Sequence, residues 1–143
     1  MARMFTREAV EEGIKVCNED AAHLERAKLL SGVFVLRAYD TPDGKDVAVK
    51  YTFDQGRCAD SDFREEDAGG PLRDEPFVPM KDGLARITAS YATFVALDKG
   101  EMDPADALNS PDYKIEGNMM MLLPLMQAVN SWTEKVRELP KEY

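Results

Sequence analysis

Apolar side chains recur at helical spacing in the N-terminal part of the chain. One helix face is indicated by residues at steps of four and three: Val10, Ile14, Cys17, Ala21 and Leu24. Gly13 and the polar run 18–20 argue against a single straight helix, so we expect two consecutive helices over 6–16 and 19–30. Thr6 is the expected N-cap of the first helix, and Gly32 is the expected C-cap of the second.

A β-hairpin follows, because apolar residues now occupy every second position. Residues 33–39 are dense in β-branched and aromatic side chains, and residues 47–53 alternate apolar with polar positions, which is typical of a half-buried strand. Pro42 and Gly44 lie between these runs and favour a turn. Residues 57–60 are compatible with a short third strand.

The stretch 54–76 has a different composition. It contains eight acidic residues against three arginines, and few large apolar residues after Cys58. We interpret it as a solvated excursion, an acidic loop at about 60–80, within a single domain that spans residues 1–143.

The second half of the chain alternates strands and helices. Residues 84–88 and 113–116 predict short strands. Ser90 and Asp103 are expected N-caps of two helices, the first of which ends at Gly100. From residue 118 onward the pattern is helical, although Pro124 lies inside it and must produce either a kink or a new helix start. The inner face of that region is predicted to carry Leu122, Met126, Val129, Trp132, Val136 and Leu139.

This order of elements, without regular βαβ alternation, predicts an α+β fold in which helices cover one sheet. Composition agrees, since 44% hydrophobic and 31% charged residues are typical of a globular domain.

The net charge of −9 argues against binding nucleic acid or an anionic membrane surface. The longest apolar run, residues 119–126, is too short to span a bilayer. Two distant cysteines and no visible targeting segment favour a cytoplasmic location.

Candidate catalytic chemistry is sparse. His23 is the only histidine, and Cys17 lies on an apolar helix face, where burial is the commoner role. The acidic run 60–67 lacks the spacing of a calcium loop, because Arg64 and Glu65 stand where oxygen ligands and a glycine are needed. We therefore expect no enzyme activity, no metal and no cofactor.

Residues 100–119 form the most distinctive motif of the chain. It runs from a Gly through Asp-Pro and Ala to Lys-Ile-x-Gly, followed by three methionines. It resembles the signature of the sterol carrier protein type 2 family, in which a Met- and Leu-rich helix follows a Lys-Ile-x-Gly-Asp turn. Glu101, Pro111 and Asn118 depart from that pattern, where the family has Lys, Gly and Asp. The matching positions are Gly100, Asp103, Pro104, Ala107, Lys114, Ile115 and Gly117.

The resemblance, which extends from about residue 10 to about residue 132, implies a five-stranded mixed sheet covered by helices, enclosing an apolar tunnel. Family members bind sterols, fatty acids, acyl-CoA or phospholipid chains, so it implies non-enzymatic binding or transfer of an apolar lipid. Burying each ligand methylene contributes about 0.8 kcal/mol, so a long chain needs no charged partner. The expected lining residues are those taken to face inward: Val47, Val49, Tyr51, Phe94, Leu97, Leu108, Met119, Met120, Leu123 and Met126.

Two other hypotheses remain open at this stage. The fold could serve as a regulatory or interaction subunit, with a core filled by its own side chains and an acidic loop that docks a basic partner. An enzyme acting on acyl thioesters is the weakest alternative, because no nucleophile with a matching base is recognisable. The apolar lipid is the expected partner; we expect no nucleic acid and no stable membrane insertion, and a homo-oligomer is compatible with the sequence.

Overall fold

Five strands form one mixed sheet in the computed structural model, which describes residues 1–143. The strands are β1 Gly32–Tyr39, β2 Lys45–Asp54, β3 Arg57–Asp67, β4 Ala85–Ser90 and β5 Lys114–Gly117. Their order across the sheet is β3-β2-β1-β4-β5. β1 pairs antiparallel with β2 and parallel with β4, whereas β3 and β5 are antiparallel edge strands. The predicted α+β class and five-stranded mixed sheet are confirmed.

Six α-helices accompany the sheet, and their N-caps follow the sequence signals closely. Thr6 accepts a hydrogen bond from the Ala9 amide at 3.2 Å, and Ser90 accepts one from the Thr93 amide at 3.2 Å. Gly100 ends its helix in the left-handed conformation with φ 77°. The helices are α1 Arg7–Asn18, α2 Ala21–Arg26, α3 Tyr91–Lys99, α4 Pro104–Leu108, α5 Met119–Leu122 and α6 Met126–Glu138.

The predicted break between the first two helices is present, but their bounds differ from expectation. α1 continues through Gly13 to Asn18, and the absence of a side chain at Gly13 brings Val136 of α6 close: a Cβ there would lie 3.4 Å from the valine Cγ2. α2 ends at Arg26 rather than near residue 30. Leu30 is instead a buried core residue in the connection to β1.

The short third strand expected at 57–60 is present and is longer than expected, so the prediction of a solvated loop is wrong for residues 60–67. The strand is β3, which begins at Arg57, has eleven residues and pairs with β2 along its length. Lys45 and Asp67 form an ion pair at 2.6 Å across the two strands. Charged side chains on an edge strand also discourage pairing with another chain, which gives the acidic composition a structural role. Residues 68–84 are the part that lies outside regular strands, with a 3-10 helix at Pro71–Asp74.

Pro124 interrupts the predicted C-terminal helix. α5 covers only Met119–Leu122, a 3-10 turn follows at Leu123–Leu125, and α6 then starts at Met126. Proline lacks the amide proton and crowds the preceding turn, so a continuous helix through this position would lose a hydrogen bond.

The two faces of the sheet differ sharply. One face carries apolar side chains and is covered by α1, α3 and α6, whose residues Val10, Phe94 and Ala128 join the same core cluster. The other face carries charged side chains and is partly covered by residues 68–84, in which Leu72 is completely buried.

Candidate functional site

The predicted lining residues of β2 lie on the helix-covered face. Val47, Val49 and Tyr51 are at most 8% exposed, and Phe94 of α3 is also 8% exposed. All four belong to one core cluster of 17 buried residues. Side chains two positions apart on a strand share a face, so the alternation in the sequence identified their direction.

An aromatic group closes this core beneath α6. Trp132 packs edge-on against Phe53, with ring centroids 4.9 Å apart, and against Tyr51 at 5.5 Å. Phe53 in turn contacts Phe34 of β1 at 6.2 Å. Such tilted and edge-to-face pairs add to the stabilisation that burial provides.

The remaining lining candidates lie nearer the surface. Leu97 is half-buried on α3. The other five are exposed, by between 41% and 79% of their area: Leu108, Met119, Met120, Leu123 and Met126. These five therefore do not enclose a hollow together with the buried residues of β2 in this structure. α5 is a single short turn, and its one buried residue is Leu122. Helical spacing in the sequence does not reveal that the helix is so short.

The exposed candidates lie in one stretch of the chain that is rich in exposed apolar side chains, which we name the methionine-rich segment (residues 108–126). Of the twelve exposed large hydrophobic residues in the chain, seven lie in this segment. When exposed apolar side chains such as these form a patch, the patch usually marks a ligand or partner surface. Ile115 and Met121 belong to the segment although the lining prediction did not include them.

Two cavities open elsewhere on the molecule, and most of the residues that line each of them are charged or polar. One of about 270 Å³ lies against the charged face of the sheet, around Arg37, Lys50 and Arg86. The other, of about 580 Å³, lies between Arg7 of α1 and residues 63–66 of β3. The predicted apolar tunnel corresponds to neither of them.

The titratable residues singled out in the sequence, His23 and Cys17, are buried and contribute to packing. His23 is completely buried, and one ring nitrogen lies 2.7 Å from the Ser131 hydroxyl. Burial raises the pKa of the Cys17 thiol to about 12 and also raises that of Cys58, so neither forms the thiolate that nucleophilic chemistry needs. No three His, Cys, Asp or Glu side chains are placed to hold a metal ion.

Sequence inspection missed the basic residues of the charged face. Arg37, Lys50, Arg64 and Arg86 occupy the outward positions of four neighbouring strands. Their alternation with apolar residues was visible, but which strands are neighbours was not, because β1 and β4 pair across a long stretch of intervening chain.

Comparison with solved structures identifies the fold. A crystal structure of sterol carrier protein 2 superposes with a TM-score of 0.74 and 22% identity, covering 96% of this chain and 100% of that one. A solution structure of a conserved hypothetical protein from Thermus thermophilus, described as possibly a sterol carrier protein, gives 0.73 and 22%, covering 99% and 92%. The apo form of sterol carrier protein 2 from Yarrowia lipolytica gives 0.55 and 16%, covering 92% and 89%.

Among curated proteins no match was found. No helix of this chain combines the length and apolar character that crossing a membrane requires. The family model for the SCP-2 sterol transfer family matches residues 15–130, which include the whole sheet and α2 to α5. The chain therefore belongs to the SCP-2 sterol transfer family.

Proposed function

We propose that this protein is a non-enzymatic carrier that binds an apolar lipid chain between the helix-covered face of the sheet and the methionine-rich segment. The observation that supports this most directly is the exposure of seven large apolar side chains within residues 108–126. In water such a surface is unfavourable unless a ligand or partner covers it, since each buried Å² of apolar area contributes about 25 cal/mol.

The site has a fixed wall and a movable wall in this proposal. The fixed wall is the apolar face of β2 with α3, whose side chains are held by their neighbours in the core. The movable wall is α5 with its 3-10 turn, which is attached to the core through Leu122 of α5 and the partly buried Leu125 of the turn. Methionine suits such a wall because it is flexible and polarisable. The proposed contacts are Val47, Val49, Tyr51, Phe94, Leu97, Leu108, Met119, Met120, Leu123 and Met126.

Displacing the movable wall would open the core to a lipid. Pro124 favours this, because it interrupts the hydrogen-bond ladder between α5 and α6 and leaves the two able to move separately. Fatty acids, isoprenoids and sterol-like molecules all fit the proposed lipid site, since apolar contacts discriminate weakly between chains that differ by one methylene.

Uptake of a fluorescent fatty acid, together with native mass spectrometry of the purified protein, tests the proposal. The double variant Met120→Gln/Leu123→Gln replaces two exposed side chains, so it leaves the core intact, and we expect lipid affinity to fall about tenfold. Leu29→Gln is the matched control, because Leu29 is 70% exposed and lies outside the methionine-rich segment. An absence of both co-purifying lipid and uptake would contradict the proposal.

A docking function is the second candidate, and the complete burial of Val47 and Val49 favours it, because these residues already fill the space against the sheet. In that case the methionine-rich segment would be covered by a partner protein. The same double variant would then abolish partner capture, while the wild type would show no lipid uptake.

A further inference from the structure

The charged face of the sheet contains a cavity that the lipid carrier function does not use. Val35 of β1 and Ala48 of β2 form its floor on the sheet, and both have short apolar side chains that leave space above the strands. Lys50 and Arg86 lie on either side of Val35 on the neighbouring strands, about 10 Å apart by strand spacing. Phe77, from the segment over this face, contributes to the wall. The volume of about 270 Å³ suits a small organic molecule.

Arg37 is the unusual group in this cavity. It is only 5% exposed and has no carboxylate within ion-pair distance. Its Nε donates to the Thr88 hydroxyl at 3.1 Å, and its Nη1 donates to the Leu72 carbonyl at 3.0 Å and to the Arg73 carbonyl at 3.4 Å. Its Nη2 has no acceptor within the protein and is open to solvent. A buried guanidinium without a counter-charge is costly, and a bound anion would remove that cost.

Two of the other cations around the cavity, Arg64 and Arg86, are neutralised by ion pairs with carboxylates. Arg64 makes a two-point ion pair with Glu75 at 2.8 and 2.9 Å, and Arg86 pairs with Glu116 at 2.8 Å. Lys50 is exposed and forms no ion pair, although Asp62 lies opposite it on β3. Arg37 and Lys50 are therefore the two groups that remain available to a ligand.

The charge balance of the lining selects the class of ligand. Four cations and three carboxylates line the cavity, and Glu116 adds a fourth carboxylate through its ion pair with Arg86, so the charges around the cavity balance. With Arg64 and Arg86 held in ion pairs, a ligand meets Arg37 and Lys50 alongside Asp62 and Asp82, which favours a single negative charge. A dianion such as phosphate would meet repulsion from the nearby acidic groups. The Phe77 ring is held against Arg86, with the guanidinium carbon 5.3 Å from its centroid, and offers an apolar surface beside the charge.

We propose that this cavity binds a small organic monocarboxylate, with its charge between Arg37 and Lys50 and its apolar part against Val35 and Phe77. The site is separate from the proposed lipid site, because the sheet lies between them. A fatty acid held beneath the methionine-rich segment cannot reach it with its headgroup.

Titration of the ¹⁵N-labelled protein with sodium benzoate, followed by amide chemical shifts, tests the proposal. Sodium chloride and inorganic phosphate serve as comparison titrants at matched ionic strength. We expect saturable shifts for benzoate on residues 35–37, 48–50 and 86, and weaker shifts for phosphate. Lys50→Gln, which changes an exposed side chain, should weaken benzoate binding about fivefold or more.

Arg37→Met should abolish saturation, and Ala48→Leu, which fills the floor, should do the same if the arginine variant does not fold. Arg57→Gln is the matched control, since Arg57 is an exposed base on β3 outside the cavity, and it should leave benzoate binding unchanged. Linear shifts for every anion, tighter binding of phosphate, or an unchanged affinity in Lys50→Gln would each overturn the proposal. The Met120→Gln/Leu123→Gln variant should bind benzoate as the wild type does, so failure of the lipid proposal leaves this test intact.

Discussion

Replacing Asp46 by Asn tests how the segment 68–84 is held over the charged face of the sheet. The Asp46 carboxylate is completely buried and accepts four hydrogen bonds. Arg73 donates two of them, from Nε at 2.7 Å and from Nη2 at 3.0 Å. The backbone amides of Asp40 and Gly69 donate the others, each at 3.0 Å. Asp46 thus joins β2 to the end of β1 and to the segment 68–84.

The size of the effect follows from these contacts. Breaking one side of a buried ion pair typically costs about 3–5 kcal/mol. The Arg73 side chain is 31% exposed, so water recovers part of that loss. Asparagine also keeps one oxygen acceptor. We therefore expect Asp46→Asn to lower the free energy of unfolding by about 2–3 kcal/mol, which corresponds to a Tm about 8 °C lower.

The pH dependence has a definite sign. Burial by itself raises the pKa of Asp46, but the Arg73 guanidinium and the two backbone amides outweigh it, and the net pKa lies below its usual value. A carboxyl with a lowered pKa in the folded state stabilises the fold above its unfolded pKa of about 4 and loses that contribution as the pH falls further. The difference between wild type and Asp46→Asn should thus shrink below pH of about 4.

Urea denaturation at pH 7 and at pH of about 3.5 measures both quantities. Asp67→Asn is the matched control, because Asp67 makes a single ion pair with Lys45 from a side chain that is 90% exposed. Exposed pairs of this kind contribute about 0–1 kcal/mol. If Asp46→Asn destabilises the protein no more than Asp67→Asn does, the argument from burial is refuted.

Two further predictions concern the core. Gly56→Ala should destabilise the fold strongly, since a Cβ there would lie 2.7 Å from the Ala27 carbonyl oxygen. Gly44 also has a positive φ, but a Cβ there would meet nothing within 4 Å, so Gly44→Ala should lower the free energy of unfolding by only about 1 kcal/mol. Equal losses of Tm in the two variants would contradict this. Burial, with the nearby Arg26, lowers the pKa of His23, so the folded state disfavours its protonated form and stability should fall as the pH drops below about 6.5. His23→Phe should flatten the Tm profile between pH 5 and 7, and an unchanged slope would show that other groups produce it.

Local signals predicted most of the elements. Caps and turns act within a few residues, so Thr6, Ser90 and Gly100 marked helix ends correctly. The hairpin of β1 and β2 followed from its alternation, and the motif 100–119 was sufficient to indicate the family. In the acidic stretch the same approach was wrong, because β3 is stabilised by pairing with β2 and not by its own strand propensity.

Exposure depended on the tertiary structure. Periodicity placed Val47, Val49 and Tyr51 on an inward face, and they are buried, but it could not show that Met120 and Leu123 would be left without a covering element. What covers a side chain is decided by residues distant in sequence, and a pattern confined to one helix does not contain that information.

By itself, then, the amino-acid sequence determined the order and type of most elements, the two-faced character of the strands and membership of the family, since these depend on neighbours a few residues away. Only the tertiary structure decided that the core beneath the helices is filled and that seven large apolar side chains within residues 108–126 are exposed. It also decided that Arg37 shares a cavity with Lys50 and Arg86 and has no carboxylate within ion-pair distance. The reason is that strand order brings together residues from separate parts of the chain, and burial and charge pairing arise only from that assembly.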